Sequence, residues 1–381
     1  MTTFNPLYLK VYQSLLNQIK SGTLKHGEKV PSEKELAEQF EVSRITSKKA
    51  LDLLSEEHYI ERIQGKGSFV TTYAGTGTDA APPAERRSQA RKLIGFILPG
   101  FDESYGMNLV KGIEKHCSDY GFTVLFKMSY GIKEIEERAV NEFLDIGAEG
   151  LIVFPVHGEH VNNKLLELVS RHFPVVLIDR FIKGIPASFV CTDHQKAAGE
   201  LTAHLFDLGH KEIGFLSPPP DGTTAIEERI VGFQLAHSEY GVKLNREYIL
   251  TEIKNSMPIH SAGDPDIFKG DILKLDSYFA KHKNLTAVAA CEHSIAELAV
   301  ERLRAAGRKV PEDISVVCFD SPGNGRIHFT HIKQDEWTIS RNAVNLLMEK
   351  MSDYKFAVQH VFVPHKIVEG ETEKPMHRVM Y

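Results

Sequence analysis

Residues 42–70 read VSRITSKKALDLLSEEHYIERIQGKGSFV, and the first half of this stretch has the pattern of an amphipathic helix. Ser43 is a favourable N-cap residue, while Arg44 and Lys48, four residues apart, project together from one side of the helix. The apolar residues fall on another side: Ala50, Leu53 and Leu54. Two short strand-like runs, YIERI and GSFVTTY, follow and are joined by QGKG, the composition of a tight hairpin turn. The stretch therefore predicts a helix with a basic outer face followed by a two-stranded wing.

Two more helices are predicted upstream of this stretch. In PLYLKVYQSLLNQIKSG, apolar residues from Leu9 to Ile19 recur at helical spacing, and Gly22 marks the end. In PSEKELAEQFEVS, Ser32 caps a second helix and Glu33 lies near the positive end of its dipole. Only two or three residues separate the second and third helices, the geometry that lets the later helix enter a major groove of DNA.

The order of these landmarks resembles the GntR family of bacterial winged-helix regulators, whose signature motifs stand here as PSEKEL, SRITSKKALDLL and GKGSFV. The resemblance implies the following DNA contacts: Ser32, Glu33, Ser43, Arg44, Thr46, Lys48, Gln64, Gly65, Lys66 and Gly67. Lys48 replaces the family's usual arginine, which favours phosphate over a base edge, and His58 replaces a common glycine. Thr46 is equally compatible with a capping role beside Ser43.

The charge distribution confines this DNA contact to the first part of the chain. Residues 1–73 contain ten Lys/Arg and nine Asp/Glu, whereas the residues from 93 onward contain thirty-one and forty. Phosphates would be repelled by the acidic second part. Between them, residues 74–92 are rich in small residues, Gly and Pro without apolar periodicity, which predicts a flexible linker.

The composition also excludes several classes of protein. No apolar run approaches the roughly eighteen residues that cross a bilayer, and the N-terminus lacks the pattern of an export signal, so we expect a cytoplasmic protein with no membrane partner. Four widely spaced cysteines form no CxxC pair, and the histidines show no metal-ligand spacing, so no disulfide or metal site is expected. Neither GxGxxG after a first strand nor GxxxxGK[ST] occurs, so no cofactor is expected.

From residue 93 onward, short apolar runs such as LIGFILPG, GLIVFP and ISVVCFD alternate with amphipathic stretches. Repeated βα units of this kind predict an α/β fold, with parallel sheets covered by helices on both faces. Glycine and proline follow many of the predicted strands, and open α/β sheets bind ligands at the carboxyl ends of their strands.

Several phrases in this region, among them VVLIDR, LGHKEIGFL, ERIVGF and VPEDISVVCFD, resemble the effector-binding core of the LacI/GalR repressors, itself similar to periplasmic sugar-binding proteins. The resemblance implies an effector-binding and dimerisation domain over residues 93–381, built from two α/β lobes with three chain crossings. We expect lobe 1 to comprise about 93–192 and 336–355, and lobe 2 about 193–333 and 356–381. The third crossing is therefore expected within 355–361.

The family binds a small ligand, usually a sugar, between its lobes, and sugar hydroxyls require planar donors, carboxylates and an apolar face. The matching positions and their neighbours are Asp102, Ser104, Tyr105, Phe154, Arg180, Asp193, Arg229, Glu292, His293, Asp320 and Gln334. Asp179 and Arg180 are also compatible with a simple ion pair, and Asp320 with stabilising the turn that follows it. The pair Glu292-His293 replaces the family's usual Asn-Asp, which leaves a charged or amino-bearing ligand open.

A GntR-type DNA-binding domain joined to a LacI-type effector-binding domain resembles the arabinose-repressor branch of the GntR regulators. The resemblance implies a homodimer on a palindromic double-stranded operator, released by a small sugar. An activator or a non-sugar ligand remains an alternative. A pyridoxal phosphate enzyme is disfavoured because the chain has no clear lysine motif for that cofactor. A transport protein is disfavoured because no export signal is present. An enzyme acting on the bound ligand would need paired catalytic groups, which Asp193 and Asp320 resemble.

Overall fold

The computed structural model describes residues 7–40, 42–56, 59–63, 66–71, 92–158, 163–258, 265–323, 327–353 and 356–376. The chain divides into two compact units, Met1–Arg87 and Ser88–Tyr381. Apart from Lys92, the expected linker lies outside the described residues, as do His58 and the predicted wing contacts Gln64 and Gly65.

The first unit packs three helices against a small antiparallel sheet in the order β1-β3-β2. In chain order its elements are α1 (Leu7–Lys20), β1 (Lys29–Val30), α2 (Glu33–Gln39), α3 (Arg44–Glu56), β2 (Ile60–Ile63) and β3 (Gly67–Val70). The helix order and the β2–β3 hairpin make this unit a winged helix, as the sequence predicts.

Helical periodicity determines which residues form the core of this unit. Val11, Leu15 and Ile19 recur every four residues on α1 and are fully buried. On α3, Leu54 is buried as predicted, but Leu51 takes the fully buried place expected of Leu53, which is only partly buried.

The second unit contains twelve strands and eight helices among its described residues. In chain order its elements are β4 (Leu93–Leu98), α4 (Met107–Asp119), β5 (Thr123–Met128), α5 (Lys133–Ile146), β6 (Gly150–Val153), α6 (Asn163–Ser170), β7 (Val175–Ile178), β8 (Ser188–Thr192), α7 (His194–Asp207), β9 (Ile213–Leu216), α8 (Thr224–Glu239), β10 (Ile249–Leu250), α9 (Pro265–Lys281), β11 (Ala287–Ala290), α10 (His293–Ala305), β12 (Ser315–Phe319), β13 (Thr330–Lys333), α11 (Glu336–Ser352), β14 (His360–Val363) and β15 (Lys366–Val368). A short 3₁₀ turn, Arg246–Tyr248, precedes β10.

These strands form two six-stranded sheets, one in each lobe. Lobe 1 has the order β14-β8-β7-β6-β4-β5 and is parallel throughout, while lobe 2 has the order β10-β9-β11-β12-β13-β15, with only β15 antiparallel. Apolar clusters cover both faces of each sheet, which explains why the strands read as continuous apolar runs.

The chain crosses between the lobes three times, and the last crossing differs from the prediction. The first two lie between β8 and α7 and between β13 and α11. The third lies between Val363 and Lys366, because β14 pairs in parallel with β8 of lobe 1. Assigning residues 356–363 to lobe 2 was therefore wrong. Strand β14 is an edge strand in which His360 and Phe362 are exposed. It therefore lacks the buried apolar run by which the other strands were predicted.

Two helices cross over to cover the opposite lobe. Helix α7 follows the last strand of the lobe 1 series but packs on α8, β11 and β13 of lobe 2. Helix α11 follows β13 of lobe 2 but packs on α4, β6, β7 and β8 of lobe 1. None of the helices in the described ranges is long and apolar enough to cross a membrane.

Candidate functional site

A cavity of about 250 Å³ lies between the lobes, at the carboxyl ends of the parallel strands. Loops after β4, β6 and β7 line it from lobe 1, and the start of α8 and the loops after β9, β10, β11 and β12 line it from lobe 2. Nine of the residues predicted to bind the effector line this cleft: Asp102, Ser104, Tyr105, Phe154, Arg180, Arg229, Glu292, His293 and Asp320.

Two predicted effector residues do not line the cleft. The carboxylate of Asp193 accepts the backbone N–H of Lys196 at 2.9 Å and so caps α7. Gln334 is 4% exposed, and its Nε2 donates to Oδ2 of Asp320 at 2.9 Å. Each residue sits beside a chain crossing, and Gln334 lies behind Asp320 of the wall.

The lobe 1 wall presents a guanidinium group against an aromatic face. Arg180 lies 4.7 Å from the ring centroid of Phe154, and its Nε is 3.5 Å from Oδ2 of Asp179. The side chain of Arg180 is only 12% exposed, yet its Nε and Nη1 make no hydrogen bond with any described residue. Tyr105 packs edge-on against Phe154. Arg180 thus lines the cleft and also makes the ion pair that the sequence left as an alternative.

The backbone at the end of β7 is unusual. Asp179 has φ of 66°, in the left-handed region that residues other than glycine rarely adopt. Asp320, at the corresponding place after β12 in lobe 2, has φ of 56°. Aspartate is among the residues that tolerate this conformation best, and such backbone strain clusters at binding sites.

The lobe 2 wall holds a second guanidinium group in a fixed orientation. Arg229 is 4% exposed, lies 3.9 Å from the ring centroid of Phe319, and donates from Nη1 to the backbone oxygen of Cys291 at 2.6 Å. Its Nε and Nη2 both lie 3.3 Å from Nδ1 of His194. This network leaves Arg229 pre-oriented at the cleft.

Two carboxyl groups of the cleft, those of Asp320 and Glu292, have a raised pKa. Desolvation outweighs the opposing effects of Arg229 and Gln334 and raises the pKa of Asp320 to about 8. Desolvation likewise raises the pKa of Glu292. Burial, followed by the charge of Asp179, raises the pKa of Tyr105 far above its ordinary value. Near neutral pH, Asp320 and Tyr105 therefore offer hydroxyl groups beside two guanidinium groups, a mixture of donors and acceptors suited to a polyhydroxy ligand.

Several cleft residues were not predicted, among them His157, Thr223 and Ser256. His157 follows β6, and its Nε2 lies 2.8 Å from the backbone oxygen of Pro219 in lobe 2. Burial and then the charge of Arg180 lower the pKa of His157 to about 4, so the ring is neutral. Its place after a predicted strand end was the available signal, whereas Ser256 lies in a loop with no sequence signal.

On the first unit, most of the described residues of α3 and the wing that were predicted to contact DNA are exposed. Ser43, Arg44, Lys48, Lys66 and Gly67 are exposed. Thr46 Oγ1 lies 2.8 Å from Ser43 Oγ, which also accepts the Thr46 N–H, so the capping role is present.

Ser32 and Glu33 have structural partners within the winged helix. Ser32 Oγ accepts the N–H of Glu35, whose carboxylate accepts the Ser32 N–H at 2.7 Å, forming a capping box for α2. Glu33 and Asp52 both pair with the guanidinium group of Arg62 on β2. Arg62 thereby ties the wing to α2 and α3.

Other chemistry is limited in the part of the chain that the structure describes. The four cysteines are free and buried. No cluster of three metal-ligating side chains occurs among the described residues.

A winged helix with an exposed basic helix, together with a two-lobed domain that encloses a polar cleft, defines a ligand-binding regulatory protein. The profile of the bacterial regulatory proteins, gntR family, matches residues 7–70, and that of the periplasmic binding protein-like domain matches residues 202–372. The chain is 30% identical over 322 residues to the arabinose metabolism transcriptional repressor of Geobacillus stearothermophilus, covering 83% of this chain and 82% of the relative. It belongs to the gntR family of bacterial regulatory proteins, in the branch that includes these arabinose metabolism repressors.

Solved structures share the fold over about three quarters of the chain at lower identity. The transcription regulator CcpA of Lactococcus lactis superimposes with a TM-score of 0.64 at 20% identity, covering 74% of this chain and all of that one. A LacI family regulator from Enterococcus faecium with bound ribose gives a TM-score of 0.61 at 19% identity, covering 75% of this chain and all of that one. The relatives are named as transcription regulators, in agreement with the prediction of a regulator rather than an enzyme.

Proposed function

We propose that this protein is a dimeric, cytoplasmic transcriptional repressor of carbohydrate-utilisation genes, which leaves its operator when a small sugar or sugar derivative binds between the lobes. The observation that carries this proposal is the lobe 1 wall. Arg180 lines the cleft beside the aromatic faces of Phe154 and Tyr105, and its buried Nη1 makes no hydrogen bond with any described residue. A sugar hydroxyl would accept from this Nη1 donor, while the C–H face of the sugar packs on the rings.

The relatives support the chemical class of the effector. One of them is named for arabinose metabolism, and a structure with this fold contains ribose. Both names refer to pentoses, so arabinose and ribose are the first effectors to test. The remaining effector contacts in this proposal are Asp102, Ser104, Arg229, Glu292, His293 and Asp320. Gln334 acts indirectly through Asp320, and Asp193 through its cap on α7.

Contacts between the lobes suggest how binding produces a signal. Thr224 Oγ1 accepts the N–H of Phe181 at 3.2 Å and donates to its carbonyl at 2.9 Å, and the Gly158 N–H donates to Thr223 Oγ1 at 3.0 Å. A ligand that contacts both walls favours this closed arrangement by its difference in affinity for the closed and open states. In a dimer, closure changes the relative placement of the two linker origins and hence of the two winged helices.

The operator contacts in this proposal are those of α3 and the wing. Arg44 at the first turn of α3 reads a base, while Lys48 and Lys66 contact phosphates. A single winged helix makes few contacts, so two copies on a palindromic operator supply the affinity and specificity.

The direct test is operator binding by the full chain in the presence of sugars. Fluorescence anisotropy with DNA from upstream of its own gene measures the affinity, first alone and then with L-arabinose, D-ribose and a panel of other pentoses and hexoses. We expect one sugar to weaken operator binding. Arg180→Leu should abolish that response while leaving operator affinity in the absence of sugar unchanged. If no sugar alters binding by the wild type, a carbohydrate effector is rejected.

A further inference from the structure

His194 joins a cleft residue of each lobe. It is the first residue of α7 in lobe 2 and is 1% exposed. Its Nδ1 lies 3.3 Å from Nε and Nη2 of Arg229, which lines the cleft from the same lobe. Its Nε2 lies 2.9 Å from the backbone oxygen of Asp179, which lines the cleft from lobe 1.

The partners of His194 determine its protonation state. A guanidinium group has only donors and a carbonyl oxygen only accepts, so Nδ1 accepts from Arg229 and Nε2–H donates to Asp179. Protonation of Nδ1 would remove this acceptor and place a second cation against Arg229. Burial and then the charge of Arg229 lower the pKa of His194 to about 3, against the smaller opposing effect of Asp179. Arg180 is the other cation that acts on the ring.

The bond to Asp179 also supports the rest of the lobe 1 wall. Asp179 is held in its left-handed conformation by its N–H, which donates to the oxygen of Val190 at 3.0 Å, and by its carbonyl, which accepts from His194. The next residue is Arg180, which this turn directs over Phe154. His194 thus bonds one guanidinium group of the cleft directly and bonds the backbone of the residue that precedes the other.

On the basis of the proposed function, we propose that His194 is a positioning residue that couples Arg229 in lobe 2 to the end of β7 in lobe 1. Through this ring, an effector that draws on either guanidinium group also stabilises the closed arrangement of the lobes. His194 contacts no effector itself, because it lies behind the wall of the cleft.

The first test needs no effector. In the full chain, hydrogen exchange at the amides of Gly158 and Phe181 reports opening, since both donate across the lobes to threonine hydroxyls. His194→Leu removes both bonds of the ring, and we expect exchange at these amides to accelerate at least about tenfold. His194→Gln retains an acceptor and a donor and should restore slow exchange.

A matched control separates coupling from general loss of stability. His237 on α8 is 3% exposed, and among the described residues its hydrogen bond stays within its own helix, to the oxygen of Phe233. His237→Leu removes a buried histidine of the same lobe and should leave exchange at Gly158 and Phe181 unchanged. Wild-type exchange in His194→Leu, equal acceleration in His237→Leu, or failure of His194→Gln to restore protection would each overturn the proposal.

A spectroscopic measurement tests the tautomer independently. With ¹⁵N-labelled histidine, the signals lost in His194→Gln identify the ring, and the wild type should show protonated Nε2 and unprotonated Nδ1 from pH 8 to pH 5. An imidazolium or a proton on Nδ1 in this range would contradict the assigned bonds.

Titration with L-arabinose links the two proposals and keeps them distinguishable. We expect His194→Leu to bind this sugar at least about tenfold more weakly and His194→Gln to stay within about threefold of the wild type. If the wild type binds neither arabinose nor any other sugar, the proposed effector class fails. The exchange and tautomer measurements still decide the role of His194.

Discussion

The amide of Gln334 holds the carboxyl group of Asp320 through a hydrogen bond of 2.9 Å, although only Asp320 reaches the cleft. The donor favours the carboxylate, but desolvation is the larger effect, and the pKa of Asp320 stands at about 8. The residue is therefore largely protonated near neutral pH. It can then donate as well as accept, which matches a ligand made of hydroxyl groups.

The shifted pKa predicts how stability depends on pH. In the unfolded chain the proton of Asp320 leaves near pH 3.8, whereas the folded chain keeps it to about pH 8. Between these values the folded state binds more protons than the unfolded state, so this residue's contribution to stability falls as pH rises. The expected slope is about 1.4 kcal/mol per pH unit at most.

Asp320→Asn isolates this effect, because asparagine keeps the shape of the protonated acid but does not titrate. Urea unfolding followed through Trp337, the only tryptophan of the chain, should show the variant gaining stability over the wild type between pH 5 and pH 8. A difference between the two proteins that does not change with pH would show that Asp320 is ionised throughout.

The cleft residues could be predicted from the sequence chiefly through the resemblance to the LacI/GalR repressors, whose pocket positions fall at the carboxyl ends of the predicted strands. The structure agrees, with Arg180 in the loop after β7 and Asp320 directly after β12. The same reasoning could not separate the residues of the wall from those that support it. Asp193 and Gln334 also follow strand ends, but β8 and β13 lead into the crossings between lobes, which turns their side chains into supporting contacts.

The role of His194 was inaccessible to sequence reasoning for a different physical reason. His194 is the first residue of α7 and follows its N-cap, Asp193. From sequence alone, a histidine in that place is interpreted as a solvated residue or as part of the helix cap. Its partners, Arg229 and Asp179, lie 35 and 15 residues away in the chain. Only the folding of α7 onto lobe 2 brings the three together.

Ser32→Ala tests whether this residue acts as a cap or as a DNA contact. The structure places its hydroxyl in the capping box of α2. We expect the winged helix to lose about 1 kcal/mol of stability, with operator affinity of the folded protein almost unchanged. Ser32→Asp, which restores a capping acceptor, should recover the stability. A large loss of operator affinity without loss of stability would instead make Ser32 a DNA contact.

Arg44→Ala tests whether Arg44 on α3 makes a base-specific contact with the operator. Arg44 is exposed and makes no ion pair or hydrogen bond with the described residues, so its removal should leave stability unchanged. Specific operator binding should weaken by about 1 to 3 kcal/mol, while binding to unrelated DNA falls less. Lys48→Ala is the comparison. A phosphate contact should weaken binding to all sequences about equally and reduce its salt dependence. If Arg44→Ala discriminates between operator and unrelated DNA as well as the wild type does, Arg44 makes no base-specific contact.

A titratable pair, His204 and Glu373, joins the C-terminal segment around residues 373–376 to lobe 2. His204 Nε2, near the end of α7, lies 2.7 Å from Oε1 of Glu373, and the Met376 N–H donates to the oxygen of Leu208 nearby. The hydrogen bond to Glu373 raises the pKa of His204 above its ordinary value. A raised folded pKa gives stability that is fully present below the unfolded pKa of 6.5 and is lost as pH rises through the folded pKa.

We therefore expect the wild type to lose on the order of 1 kcal/mol between pH 6 and pH 9 relative to His204→Gln, measured by urea unfolding at both values. Glu373→Gln should remove the same pH dependence, because it removes the carboxylate that favours the imidazolium. Limited proteolysis provides a second readout, since release of the segment exposes its backbone, and cleavage near Glu373 should accelerate at pH 9 in the wild type. If His204→Gln and the wild type change in parallel over this range, the pair does not hold the segment.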